Sequence, residues 1–208
     1  MKIYSERIYV PEGVISGTIT VSDGKITAIE KGIKDADAID YGNHRVIPGI
    51  FDTHNHGTCG FDPANGQHLP KEQAKQQIRG YLKGLASQGV TSIFPTVVES
   101  DALSNIAEVA EEHKVIGAEI LGIHSEGPWL NRVGEKGIRT GWPEISVEKA
   151  KKMVSDSKGW LKLVAIAPEI PGAYEVIEYF LSQGITVAAA HSDNHYKEAM
   201  EGYAKGIS

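Results

Sequence analysis

After Val46 the chain alternates short apolar runs with amphipathic stretches of helical period, and this constrains the fold more than any other feature. Such alternation implies βαβ crossovers, hence a parallel sheet with helices packed on it. Apolar strands are read at Val46 to His54, Val90 to Val98, Glu119 to Glu126, Leu161 to Ile170 and Ile185 to Ser192. Each leads into a helix or a long loop. A helix from about Lys71 to Gln88 places Ile78, Tyr81, Leu82 and Leu85 on one stripe, and Gly89 stands where a C-terminal cap is wanted. A second, from about Ala173 to Gln183, groups Val176, Ile177, Phe180 and Leu181 and is closed by Gly184. A last helix runs from about His195 to Lys205, and Gly206-Ile207-Ser208 reads as the start of a sixth strand.

Before Val46 the pattern is different. Residues from Ile3 to about Arg45 read as short β segments, with period-two alternation at Gly17 to Val21 and a hairpin signal at Ser22-Asp23-Gly24. So few strands cannot cover both faces of a sheet, so this segment is expected to need further strands or a covering layer. The expected domains are 1–47 and 48–208.

With 208 residues, 41% of them apolar, the chain can bury a sizeable core. A net charge of −6 without a basic cluster argues against nucleic-acid partners. No run approaches the roughly 18 apolar residues of a membrane span, so a soluble, cytoplasmic protein is expected. Cys59 is the only cysteine, which rules out a thiolate cluster within one chain and leaves His and carboxylates for any metal site.

Those residues occur at strand ends. His54 and His56 follow the apolar run Val46 to Phe51 at i, i+2 spacing, which points both imidazoles to one side of a strand. His124 and Glu126 end the third strand with the same spacing, and a carboxylate there must be paired, hydrogen-bonded or metal-bound. His191 closes the fifth strand after three alanines. The plainer alternatives are a polar pair at a strand exit, a salt bridge to Glu126 and a rim histidine. Convergence of three strand ends at one rim favours a divalent first-row ion held by imidazole and carboxylate.

The run Pro48 to His56 resembles the first-strand signature of the amidohydrolase superfamily. His124-Ser125-Glu126-Gly127-Pro128-Trp129-Leu130-Asn131 is similar to the stretch by which one branch, the N-acetylglucosamine-6-phosphate deacetylases, supplies a metal-binding Glu. His191-Ser192-Asp193-Asn194, with Tyr196, resembles the segment carrying that branch's next metal His, and Ala165 to Glu169 resembles its fourth strand. The resemblance spans essentially all of the chain. It implies an incomplete TIM-type (β/α) barrel of about five βα units, cut before strand 6 and preceded by part of a β-sandwich. It also implies hydrolysis of an N-acetyl group from an amino-sugar phosphate, a zinc or iron centre of one or two ions held by Glu126, His191, His54 and His56, and a homodimer for the complete protein.

Two departures matter. Where the branch carries Lys-Gly-x-His, this chain has Lys136-Gly137-Ile138-Arg139. Ile138 and Arg139 are substrate-binding candidates, Arg139 as a fixed-charge fork for phosphate or as a solvated loop residue. His195 reads as a solvent-facing helix start rather than a second ligand, and Cys59 as a remote candidate. The branch's further metal His and its catalytic Asp lie beyond Ser208, so 208 residues alone are expected neither to deacetylate nor to fold as a stable monomer. The alternatives are another N-acyl or cyclic-amide hydrolase and a non-catalytic metal-binding module.

Overall fold

The computed structural model describes residues 1–64, 68–98, 102–112, 114, 117–132 and 144–208. They form two compact units, Met1–Gly49 and Ile50–Ser208. Ile138 and Arg139 lie outside the described residues.

In the first unit β1 (Lys2–Val10), β2 (Gly13–Ser22) and β3 (Lys25–Lys31) make an antiparallel meander. The short β4 (Ile39–Asp40) and β5 (Arg45–Val46) pair with β1 in parallel. The expected hairpin is present. Asp23 and Gly24 both take positive φ, 51° and 72°, as a two-residue turn matched to strand twist requires. Gly17 allows close approach, since a Cβ there would sit 2.3 Å from the Glu30 carbonyl oxygen. Ile8 and Ile19 are buried, whereas Ile26, Ile29 and Ile39 are exposed.

The second unit is a curled parallel sheet with helices between its strands, except that β8 runs directly into β9. Its strands are β6 (Ile50–Asn55), β7 (Val90–Val97), β8 (Glu119–Ile120), β9 (Ile123–Glu126), β10 (Leu161–Ile166) and β11 (Thr186–Ala189), in the spatial order β6-β7-β9-β10-β11 with β8 pairing β7. The helices are α1 (Lys71–Ser87), α2 (Leu103–Glu111), α3 (Val147–Asp156), α4 (Ala173–Ser182) and α5 (Tyr196–Ala204). Five βα units wound in sequence order form part of a barrel wall, as expected. After α5 the backbone returns to the sheet, where Ser208 N–H donates to the Val187 carbonyl (2.9 Å). None of the helices is long and apolar enough to cross a membrane, among the described residues.

The core lies between sheet and helices. Ile78, Tyr81 and Leu85 of α1 are buried with Ile93 of β7, and Val176, Ile177 and Phe180 of α4 with Val164 of β10 and Val187 of β11. Gly89 and Gly184 follow α1 and α4 with positive φ, so both helices end as the sequence predicted. α2 and α3 occupy places where the pattern left helix or loop open, and Ser146 caps α3 by accepting the Lys149 N–H.

Two strand readings change. The run Val46 to His54 is not one strand, because Arg45–Val46 pairs with β1 while Ile50–Asn55 joins the parallel sheet, and the Pro48 between them has no N–H to give a ladder. The run Glu119 to Glu126 breaks at Leu121-Gly122. Leu121 N–H still donates to Ile93 of β7, whereas Ile123 N–H donates to the Trp160 carbonyl beside β10. Gly122 is needed at that break, since a Cβ there would meet Lys162 at 2.4 Å and Phe94 at 2.7 Å.

A charge network ties α1 to α2. Oε1 of Glu112 accepts from Lys75 (2.8 Å) and Arg79 (2.6 Å), and Glu108 pairs with Lys71. The bond from Lys75, then that from Arg79, hold the Glu112 carboxyl down at about 2. A depressed native value means that Glu112 stabilises the fold above the unfolded carboxyl's 4.5 and stops doing so as pH falls through about 2. The stability gap between wild type and Glu112→Gln should therefore be widest at neutral pH and shrink steadily between pH 4.5 and 2. Denaturant melts across that range would show a constant gap if the network contributes nothing.

Candidate metal centre

The end of β6 is fixed on four sides. Asp52 accepts the His54 backbone N–H (3.0 Å) and the Asn55 side-chain amide (3.2 Å). Asn55 N–H donates to Thr96 Oγ1 of β7 (3.0 Å), and the buried Tyr81 of α1 sends its hydroxyl to the Asn55 carbonyl (3.1 Å). Burial also pushes the Tyr81 hydroxyl's pKa up, so it remains a donor. From β9, His124 Nδ1 lies 3.0 Å from the Thr53 carbonyl, which only accepts, so Nδ1 carries the proton.

On that frame three imidazoles meet one carboxylate. His56 Nε2 lies 2.8 Å from Glu126 Oε2, while His191 Nε2 and His54 Nε2 lie 2.6 and 3.8 Å from Oε1. The ligand atoms of His54, His56 and Glu126 all lie within 4.8 Å of one another. The rings of His54 and His56 stand edge to face with centroids 5.0 Å apart. Glu126 is the half-buried centre and the histidines are more open. Burial pushes the Glu126 carboxyl up, but the bond from His191 and the charges of His54, His56 and His191 outweigh it and hold the group below its ordinary range.

His191 is placed by backbone. It takes φ 50°, a left-handed conformation that side chains rarely adopt, its Nδ1 donates to the Arg132 carbonyl (2.8 Å), and its own carbonyl accepts from Asn131 and Arg132 (3.0 and 2.6 Å). With Nδ1 committed as a donor, Nε2 faces Glu126 either as a bare lone pair or protonated. Lone pairs set against a carboxylate at 2.6 Å repel, so a proton or a metal cation must lie between them. The donor set is all nitrogen and oxygen, the far nitrogen of His191 is fixed by the Arg132 carbonyl, and no Lys or Arg among the described residues pairs with Glu126. A divalent first-row ion fits this arrangement.

The structure thus brings together His54, His56, Glu126 and His191. His124 shares the strand with Glu126 but turns to Thr53, and burial pushes its pKa down, which keeps it neutral. His195 directly precedes α5, makes no side-chain cap bond and is exposed, and Cys59 is exposed outside the cluster. Sequence reasoning gave Tyr81 only a core role and Thr96, Asn131 and Arg132 none, because their partners lie far away in sequence. Replacing Tyr81 with Phe leaves the Asn55 carbonyl without its donor. It should cost about 0.5–1.5 kcal/mol of stability and loosen metal binding modestly. A variant as stable and as avid as wild type would show that the hydroxyl does not hold β6.

A curated relative from Vibrio furnissii, an N-acetylglucosamine-6-phosphate deacetylase, is 35% identical over 201 residues, covering 91% of this chain and 49% of its own length. This chain is homologous to the N-terminal portion of those deacetylases. The deacetylase of Bacillus subtilis (strain 168) is 29% identical over 88% of the chain and 48% of its own length. The chain therefore spans about half the length of the curated relatives it matches. The N-acetyl-D-glucosamine-6-phosphate deacetylase of Mycobacterium smegmatis superposes with a TM-score of 0.79 at 21% identity, covering all of this chain and 59% of that one. Another structure of that enzyme holds N-acetyl-D-glucosamine-6-phosphate. The profile of the allantoinase composite domain matches residues 2–44.

Proposed function

We propose that this protein carries the metal-binding part of an enzyme that hydrolyses the N-acetyl group of N-acetylglucosamine 6-phosphate, giving glucosamine 6-phosphate and acetate. The observation that carries the reading is the convergence of His54, His56 and His191 on Glu126 at the C-terminal ends of β6, β9 and β11. Homology to deacetylases named for this reaction supports it.

When bound there, one or two divalent ions, zinc or iron, supply Lewis acidity towards the amide carbonyl and the attacking water. Glu126 supplies the anionic oxygens. His191 is held in one tautomer by the Arg132 carbonyl, and His54 and His56 close the other side of the cluster. Glu126 is engaged with three imidazoles and is not free to shuttle a proton, so protonation of the departing amine falls to another carboxylate, the catalytic Asp that the resemblance places beyond Ser208. Ile138 and Arg139 belong to this reading as substrate contacts, Arg139 facing the sugar phosphate. A homodimer and a cytoplasmic setting belong to it as well.

The test is a coupled assay of acetate release from N-acetylglucosamine 6-phosphate by the full-length protein, before and after chelation and with zinc or iron restored. Metal-dependent release supports the deacetylase. Tight metal binding with no release from this or related N-acylated sugars would favour a non-catalytic module.

A further inference from the structure

Glu169 lies just beyond β10, in the turn leading to α4, and its carboxylate gathers three donors. Oε1 accepts from the Asn131 side-chain amide (2.8 Å) and the Asp193 backbone N–H (2.6 Å), and Oε2 accepts from the Ser192 hydroxyl (2.8 Å). Burial pushes the Glu169 carboxyl up, but these donors outweigh it and keep it charged. Both oxygens are engaged, so Glu169 stands as a fixed acceptor rather than as a spare ligand.

The donors belong to the two segments that hold His191. One is the loop after β9, where Asn131 and Arg132 donate to the His191 carbonyl and Arg132 accepts from the His191 ring. The other is the strand exit itself, where Ser192 and Asp193 directly follow His191 in its left-handed conformation. A non-glycine residue stays in that conformation only when its surroundings over-determine it. Glu169 binds both segments from a third strand.

We propose that Glu169 is a positioning residue for the metal centre, fixing the backbone of His191 and so aiming its Nε2 at Glu126. The proposal rests on His191 being a ligand. Glu169 acts through His191 and touches no reacting atom, as outer partners of metal ligands do.

The test uses the full chain with Zn2+ or Co2+ competed against a chelator. Glu169→Ala should weaken metal binding by about 10–100-fold, and it should change the cobalt visible spectrum. Glu169→Gln keeps an acceptor for Asn131 and Asp193 and can donate to Ser192, so it should recover most of the affinity. In a His191→Ala background, Glu169→Ala should add nothing. A metal-free arm follows hydrogen exchange of the Asn131 and Arg132 amides, which should quicken in Glu169→Ala and stay slow in Glu169→Gln. If Glu169→Ala fails to fold, Ser192→Ala removes one of the three bonds and should shift the same readouts in the same direction by less. Wild-type affinity in Glu169→Ala, or losses that add fully to those of His191→Ala, would overturn the proposal. A wild type that binds no metal would count against the proposed function, while the exchange arm would still decide whether Glu169 holds the two segments.

Discussion

Glu126→Ala is expected to empty the metal centre. That carboxylate is the common partner of His56 at 2.8 Å, His191 at 2.6 Å and His54 at 3.8 Å, and it supplies the cluster's only negative charge among the ligand atoms. Losing an outer partner of a ligand costs about 10–100-fold in metal affinity, and losing the anionic ligand itself should cost more than that range. Metal content after exhaustive dialysis should fall from stoichiometric to trace. Glu126→Gln tests the charge alone, since the amide keeps the shape and one acceptor oxygen. Retention of stoichiometric metal by either variant would remove Glu126 from the site. The pH dependence follows from the depressed native pKa: Glu126 stabilises the apo fold above the ordinary carboxyl value and loses that contribution on acidification, so the two variants should converge with wild type at low pH.

Trp129→Ala should be the most damaging substitution for stability. The side chain is fully buried three residues after Glu126, its ring lies 6.4 Å from that of Phe180, and its Nε1–H donates to the Glu144 carbonyl (2.8 Å). Truncating a buried aromatic to Ala costs about 3–5 kcal/mol. Domains are stable by only about 5–15 kcal/mol, so the variant would retain a thin margin. The Trp129 backbone also accepts from Ala167, which links the loop carrying Asn131 to the end of β10. Metal affinity should therefore fall together with the melting temperature. Trp129→Phe keeps much of the volume but drops the indole donor, and it should lie between the two. Wild-type stability in Trp129→Ala would mean that this ring is not part of the core.

Much of the parallel unit was legible because period and burial coincide. Ile78, Tyr81, Leu82 and Leu85 form one stripe in sequence and one buried face in space, and Gly89 and Gly184 end their helices with positive φ. The four candidate ligands were legible for a related reason: ionisable side chains directly after apolar runs mark strand ends, where parallel sheets place their sites. The break at Leu121-Gly122 was hidden, since β8 pairs only with β7 whereas β9 lies between β7 and β10, and no local pattern encodes the entry of β10 beside the strand. Pro48 did signal the division of the first apolar run, but the unbroken hydrophobicity around it masked the signal. Glu169 and Asn131 could not be assigned a role because a polar residue in a loop looks the same whether it meets solvent or a partner 24 or 38 residues away.

The strand ends that carry Glu126 and His191 are joined by a contact spanning 65 residues, and the one between His124 and Thr53 spans 71. Contacts of such sequence separation form late, because the chain between them must be ordered before they bring any gain. A nascent or partly folded chain therefore has only scattered histidines. On the proposed reading, ion capture is tied to completion of tertiary structure, so saturating metal would act as a thermodynamic latch that adds about 2.7 kcal/mol at a hundredfold excess over Kd.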